Sequence, residues 1–223
     1  MRSLLMPQIN ELAPDLEVAE WVQGEASNIS RQRGKIIIVK VFQVNCPGCF
    51  STGFPEILDA VQKLSGEPVI FWGLATAFED FELNNLENLK KLISHGEVVG
   101  ETLYTLGGQG MLDNNRLSYK IPFPVAWDRI TPADPSNASI DAKSLIERDF
   151  PEFEKFPESS QKKIMEQVMD YYRNKKFSAA TFEKYQMRGT PSTLLIDQAG
   201  VLRGKWFGSG FGLTKEIENL LAD

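Results

Sequence analysis

The stretch that decides the fold is Ile36-Ile37-Ile38-Val39-Lys40-Val41-Phe42-Gln43-Val44-Asn45-Cys46-Pro47-Gly48-Cys49-Phe50. From Lys35 to about Phe42 it is strand-length and rich in β-branched residues, which suits a buried strand. Two cysteines follow at once, and beyond them Phe54, Ile57, Leu58, Val61 and Leu64 repeat at i, i+3, i+4 and i+7. That spacing predicts an amphipathic helix. Pro55 lies inside it and is expected to kink the helix or delay its regular part, and Gly66 closes it.

Cys46 and Cys49 are the only cysteines in 223 residues. Two cysteines placed at random would fall three apart roughly one time in a hundred, so the pair asks for a reason. A helix N-terminus presents unpaired N–H groups and the positive end of the macrodipole, both of which favour a thiolate. Cysteines so placed have pKa values lowered into a range of about 3.5–7.5, and only the thiolate attacks a disulfide. Pro47 suits the first helical turn because its missing N–H would be unpaired there in any case. Cys49, one turn on, is near enough to resolve a mixed disulfide. A closed zinc site needs four ligands, and one histidine and two cysteines are present, so neither a metal nor another cofactor is expected.

Outward from this core, Val69 to Leu74 reads as a second strand, and Leu83, Leu86, Leu89, Leu92 and Ile93 mark a helix ended by Gly96. Residues 97–120, punctuated by Gly107, Gly108 and Gly110, read as mostly loop. Pro122 to Asp128 reads as a short third strand. Residues 131–186 are polar and rich in proline and charge, with a helix from about Ser160 to Lys176. Ser192–Asp197 and Val201–Phe207 flank a turn containing Gly200, a hairpin signal, and a last helix carries Leu213, Ile217, Leu220 and Leu221. Residues 1–34 read as an irregular lead-in with a short Val18-to-Val22 segment. Alternating strands and helices imply βαβ units, and the hairpin adds antiparallel strands.

The formal charge of −6 leaves no basic surplus to neutralise phosphates, which argues against a nucleic-acid partner. After Met1 and Arg2, the apolar stretch Ser3 to Met6 ends at Pro7, too short for a secretory h-region. No window reaches the roughly 20 apolar residues of a membrane helix. The expectation is a cytoplasmic protein with no membrane partner. In that compartment a lone C-x-x-C is not a structural staple. His95, the single histidine, falls in a last helical turn and reads as a surface residue.

Three stretches resemble the thioredoxin superfamily, in particular the redoxin branch related to TlpA-type proteins and peroxiredoxins. They are Ile36 to Phe50, then Arg188-Gly189-Thr190-Pro191-Ser192-Thr193-Leu194-Leu195-Ile196-Asp197, and then Gly200 to Gly210. The resemblance implies an α/β thioredoxin-like fold, with a central mixed sheet flanked by helices and a helical insertion before the cis-proline strand. Residues 1–223 would form one domain, with 1–34 an N-terminal extension and 131–186 a mostly helical insertion. It also implies a cis Pro191 against the cysteine pair and a Thr190 backbone that binds a partner. Gly208-Ser209-Gly210 would wall the same groove, with Pro47 and Gly48 lining it.

The expected activity is thiol–disulfide exchange with a protein or small-molecule disulfide or dithiol, Cys46 as nucleophile and Cys49 as resolving group. Two departures from the family pattern bear on it: Asn45 replaces the usual aromatic residue, and Lys40 stands where thioredoxins bury an acid. Both are candidates to modulate the thiol pKa, and Lys40 also reads as a solvated strand residue. A peroxiredoxin-like peroxidase acting at Cys46 is an alternative, although the upstream Pro and Thr or Ser of that group are missing. A binding module without redox activity is another.

Overall fold

The computed structural model describes residues 7–222; the expectation for Met1 to Met6 lies outside them. The chain folds as two compact units. One runs up to Ile130 and resumes at Ala179; the other is Thr131–Ser178. In chain order the first unit opens with β1 (Val18–Gln23), β2 (Ile36–Phe42), α1 (Phe54–Lys63) and β3 (Val69–Ala75). Then come α2 (Leu86–His95), α3 (Gly100–Gly108), the short strands β4 (Leu112–Asp113) and β5 (Arg116–Leu117), and β6 (Val125–Asp128). Beyond β7 (Ile130–Pro132), α4 (Ala138–Asp149) and α5 (Glu158–Asn174) make up most of the second unit, which β8 (Phe177–Ala179) closes. The first unit is completed by α6 (Ala180–Lys184), β9 (Ser192–Ile196), β10 (Leu202–Phe207) and α7 (Leu213–Ala222).

Six strands form one mixed sheet in the order β1-β6-β3-β2-β9-β10. β2 pairs in parallel with β3 and antiparallel with β9, β3 pairs in parallel with β6, and β1 and β10 pair antiparallel at the two edges. The unbroken β-branched run of β2 is explained by its position, since a strand flanked on both sides and covered on both faces can be apolar throughout. Ile36, Ile38 and Phe42 enter a core with Phe54 and Ile57 of α1, Leu89 of α2 and Leu213 and Ile217 of α7. Ile37, Val39 and Val41 enter the opposite core with Trp72, Phe182, Tyr185 and Leu194. Full burial of each such side chain is worth about 1.5–3 kcal/mol. Lys40 shares the period-two register of Ile38 and Phe42, so a cation lies inside the first face.

The hairpin expected around Gly200 is β9–β10. Its turn closes through Gly200 N–H to the Asp197 carbonyl at 2.9 Å, with Gly200 at φ 76°. Two segments differ from their sequence reading. Val18–Gln23 is an edge strand rather than part of an irregular lead-in, because its backbone pairs with β6, more than a hundred positions away. Within 97–120, read as loop, Gly100–Gly108 is helical. Its glycines sit at the helix ends while Thr102 and Leu106 are buried, and what caps its start is distant in sequence. The residues after Ser178 belong with the first unit, where Phe182, Tyr185 and Met187 are buried.

Candidate active site

Cys46 lies just past the C-terminal end of β2, where ligands of open α/β sheets bind. The backbone turns helical at Pro47 and Gly48, runs through a π-helical turn at Cys49–Gly53, and continues as α1. Pro55 therefore falls in the first turn of α1, and the regular helix is delayed as its place in the sequence suggests. Cys46 and Cys49 are joined as a disulfide with Cα atoms 5.4 Å apart. Cys49 is fully buried, whereas Cys46 is half-buried and Gly48 exposed. Of the two cysteines, Cys46 is the one solvent or a partner can reach.

The π turn leaves one carbonyl to be met from another element. Phe54 N–H donates to the Cys49 carbonyl, the wide i to i+5 pairing. The next such pairing, Phe50 carbonyl to residue 55, cannot form because proline has no N–H. Tyr119 supplies the missing donor, its hydroxyl reaching the Phe50 carbonyl at 3.0 Å. Burial pushes the Tyr119 phenol pKa well above its ordinary value, so the group remains a donor. Turns of this kind recur at functional sites.

Opposite the cysteines, the Thr190–Pro191 peptide is cis. The Thr190 carbonyl oxygen lies 3.6 Å from Cys46 Sγ. Cys49 N–H donates to Cys46 Sγ at 3.3 Å. Ser192 Oγ donates to the Gly189 carbonyl, and Gly208 N–H donates to the Pro191 carbonyl at 2.8 Å. Gly53 permits the close approach of this loop: a Cβ there would lie 3.0 Å from Pro191 Cβ and 3.2 Å from Lys40 Cε. At Gly48 a Cβ would be 3.9 Å from Pro191 Cδ, an ordinary contact. Cys46, Cys49, Pro47, Gly48, Thr190 and Pro191 are thus gathered at one place.

Lys40 approaches this site from below. Its Nζ donates to Thr193 Oγ1 at 3.0 Å and lies 3.5 Å from Glu56 Oε2. Burial lowers its pKa, and the neighbouring Glu56 carboxylate opposes that shift. Glu56 Oε1 in turn accepts from Gly210 N–H at 2.9 Å. The pair therefore ties together α1, the strand after Pro191 and the glycine turn 208–210. The expectation of a solvated Lys40 is corrected by its full burial against Thr193 and Glu56, and Glu56 was not foreseen, because its position within α1 carries no local signal of a partner on β2.

Asn45 serves a different end from a direct contact with sulfur. Its Oδ1 accepts from Glu101 N–H at 2.8 Å and Thr102 N–H at 3.4 Å, while its Nδ2 donates to Asp80 Oδ2. It is the N-terminal cap of α3, supplied from another element, since Val99 at the cap position offers no side-chain acceptor. Gly100, at φ 54°, makes room for it: a Cβ there would fall 2.6 Å from Asn45 Oδ1. Asn84 Oδ1 accepts from the Asn45 N–H at 2.7 Å, and Thr102 Oγ1 donates to the Val44 carbonyl. The residue before Cys46 is thereby fixed from two sides.

No protein-family model matches the sequence, and no curated protein matches it. Solved structures do. A crystal structure of a thioredoxin-like superfamily protein is 26% identical, with a TM-score of 0.58 over 96% of this chain and 97% of the other. A thiol–disulfide isomerase from Corynebacterium glutamicum is 25% identical, with a TM-score of 0.57 over 96% and 97%. The thioredoxin domain of a thiol–disulfide oxidoreductase from Bacteroides vulgatus matches at 14% identity and a TM-score of 0.51 over 96% and 98%, a likeness of fold alone. The chain has a thioredoxin-like fold, its structural neighbours are thioredoxin-like thiol–disulfide oxidoreductases, and it carries a C-x-x-C pair. Among the described residues, no helix is long and apolar enough to cross a membrane.

Proposed function

We propose that this chain is a thiol–disulfide oxidoreductase in which Cys46 exchanges with the partner and Cys49 resolves. The observation that carries the reading is the unequal burial of the bonded pair at a helix start, with the more exposed cysteine against the Thr190–Pro191 peptide. In the reducing direction, the Cys46 thiolate attacks one sulfur of a partner disulfide, forming a mixed disulfide and releasing one partner thiolate. The Cys49 thiolate then attacks Cys46 Sγ, closing the Cys46–Cys49 disulfide and releasing the second partner thiolate. Two electrons pass from the cysteine pair to the partner; the reverse sequence oxidises a dithiol. In a reducing compartment such as the cytoplasm the resting pair is the dithiol, ready for the first direction.

The partner is a protein or small-molecule disulfide or dithiol, held along Pro47, Gly48, Thr190 and the turn 208–210. Lys40 and Asn45 act on the thiols through the elements they hold rather than by contact. Thr131–Ser178 is an insertion into a single redox domain.

The test combines potential and trapping. Equilibration in graded glutathione buffers, read by alkylation and mass, should give one two-electron transition for Cys46–Cys49. Cys49→Ser should accumulate a mixed disulfide at Cys46 with a model disulfide substrate, and Cys46→Ser should accumulate none. Absence of an intramolecular disulfide, together with rapid hydrogen-peroxide consumption in dithiothreitol, would replace this reading with a peroxidase acting at Cys46.

A further inference from the structure

Gln43 directly follows the strand that delivers Cys46, and it is 1% exposed. Its Oε1 accepts a hydrogen bond from the Thr190 hydroxyl at 3.3 Å. Its Nε2 is the one buried side-chain polar atom without a hydrogen-bond partner among the described residues. An unmet buried donor is destabilising, whereas an apolar side chain of the same length would fill the space without that cost. What the amide accomplishes in this position is the bond to Thr190, the residue whose carbonyl touches Cys46.

Two backbone groups of opposite polarity address Cys46 Sγ. Cys49 N–H, at 3.3 Å, stabilises a thiolate. The Thr190 carbonyl lies 3.6 Å from the same sulfur in the disulfide; once the pair is reduced, an acceptor at that place favours a thiol S–H and disfavours a thiolate. The first belongs to the helix that starts at Cys46 and owes nothing to Gln43. The second belongs to a separate loop, and Gln43 holds its side chain.

We propose that Gln43 is a positioning residue: by holding the Thr190 hydroxyl it keeps the Thr190 carbonyl against Cys46 and so holds back ionisation of the Cys46 thiol. This rests on Cys46 being the exchanging cysteine. Removing the amide withdraws only the group that opposes the thiolate, so the thiol becomes more acidic. Because a stabilised thiolate stabilises the reduced pair, the pair also becomes more oxidising.

The test uses the reduced full chain and follows iodoacetamide alkylation of Cys46 against pH by peptide mass. Gln43→Met and Thr190→Val should each lower the alkylation midpoint by about 0.5–1 pH unit, the worth of one neutral hydrogen bond. The double variant should go no further than either single one, and Thr190→Ser, which keeps the hydroxyl, should match the parent chain. The glutathione-buffer potential should rise in the same variants that lower the midpoint. A midpoint unchanged or raised in Gln43→Met, with Cys46 still titrating, overturns the proposal and leaves the exchange reading intact. Full exchange activity in Cys46→Ser defeats the exchange reading itself. Should Gln43→Met fail to fold, the contrast between Thr190→Val and Thr190→Ser decides by the same criterion.

Discussion

Near the cysteine pair, Tyr119 is a half-buried and Lys40 a fully buried polar side chain, and elementary energetics treats them differently. The Tyr119 hydroxyl answers a carbonyl that Pro55 leaves orphaned, so its loss exposes the full desolvation penalty of that group. Tyr119→Phe should lower stability by about 1–3 kcal/mol in urea titration with an unchanged m-value. A smaller loss than this range would mean that water reaches the Phe50 carbonyl. Lys40 carries its own titration into the core. Burial depresses its folded pKa below the ordinary 10.5, so the unfolded chain binds the extra proton between the two values. Stability is then gained as pH rises through the folded pKa toward 10.5 and lost as pH falls through it. Relative to Lys40→Met, the parent chain should gain stability across that alkaline window in paired urea titrations at a series of pH values. A difference that stays flat with pH would mean the lysine titrates as it does in the unfolded state.

At the scale of elements, α3 owes its start to a residue outside it. Asn45→Ala removes the acceptor for Glu101 and Thr102 N–H, and loss of such a cap costs about 0.5–2 kcal/mol. Amide exchange at Glu101 and Thr102 should accelerate more than exchange in α1 or α7, because those helices do not depend on this cap. Uniform acceleration would instead mean that α3 opens only with the whole unit. The same bond explains why α3 was illegible. A helix start is read from a local Ser, Thr, Asp or Asn, and here the residue lies on the far side of two helices and a strand. β2, α1 and the β9–β10 hairpin were legible because their signals are local: β-branched runs, a 3.6-residue stripe and a glycine turn. Lys40–Glu56, Tyr119–Phe50 and Gln43–Thr190 are pairings between elements, and single residues give no notice of them. The cysteine pair was legible from spacing and placement, but the unequal burial of its two residues required the fold.

At the scale of the whole chain, the first unit closes on itself without the residues between 130 and 179. Ala180 N–H donates to the Arg129 carbonyl at 3.0 Å, so the two ends that flank the second unit are already joined by a backbone hydrogen bond. Asp128 strengthens that junction. Its carboxylate accepts from Thr181 N–H at 2.8 Å, Phe182 N–H at 3.2 Å and the Thr76 hydroxyl at 2.9 Å, all inside the first unit. Ends held this close tolerate replacement of what lies between them, since closing a short flexible loop costs little. Replacing Thr131–Ser178 with a short Gly-Ser linker should leave a chain that unfolds in one cooperative transition. Because the cysteines, the cis peptide, Lys40, Glu56 and Gln43 all belong to the first unit, the Cys46–Cys49 potential of that shortened chain should match the intact one. Exchange with a small disulfide should be retained as well, and any selective loss toward a protein partner would assign partner recognition to Thr131–Ser178. A shortened chain without a cooperative transition would mean that the inserted unit supports the redox core rather than decorating it.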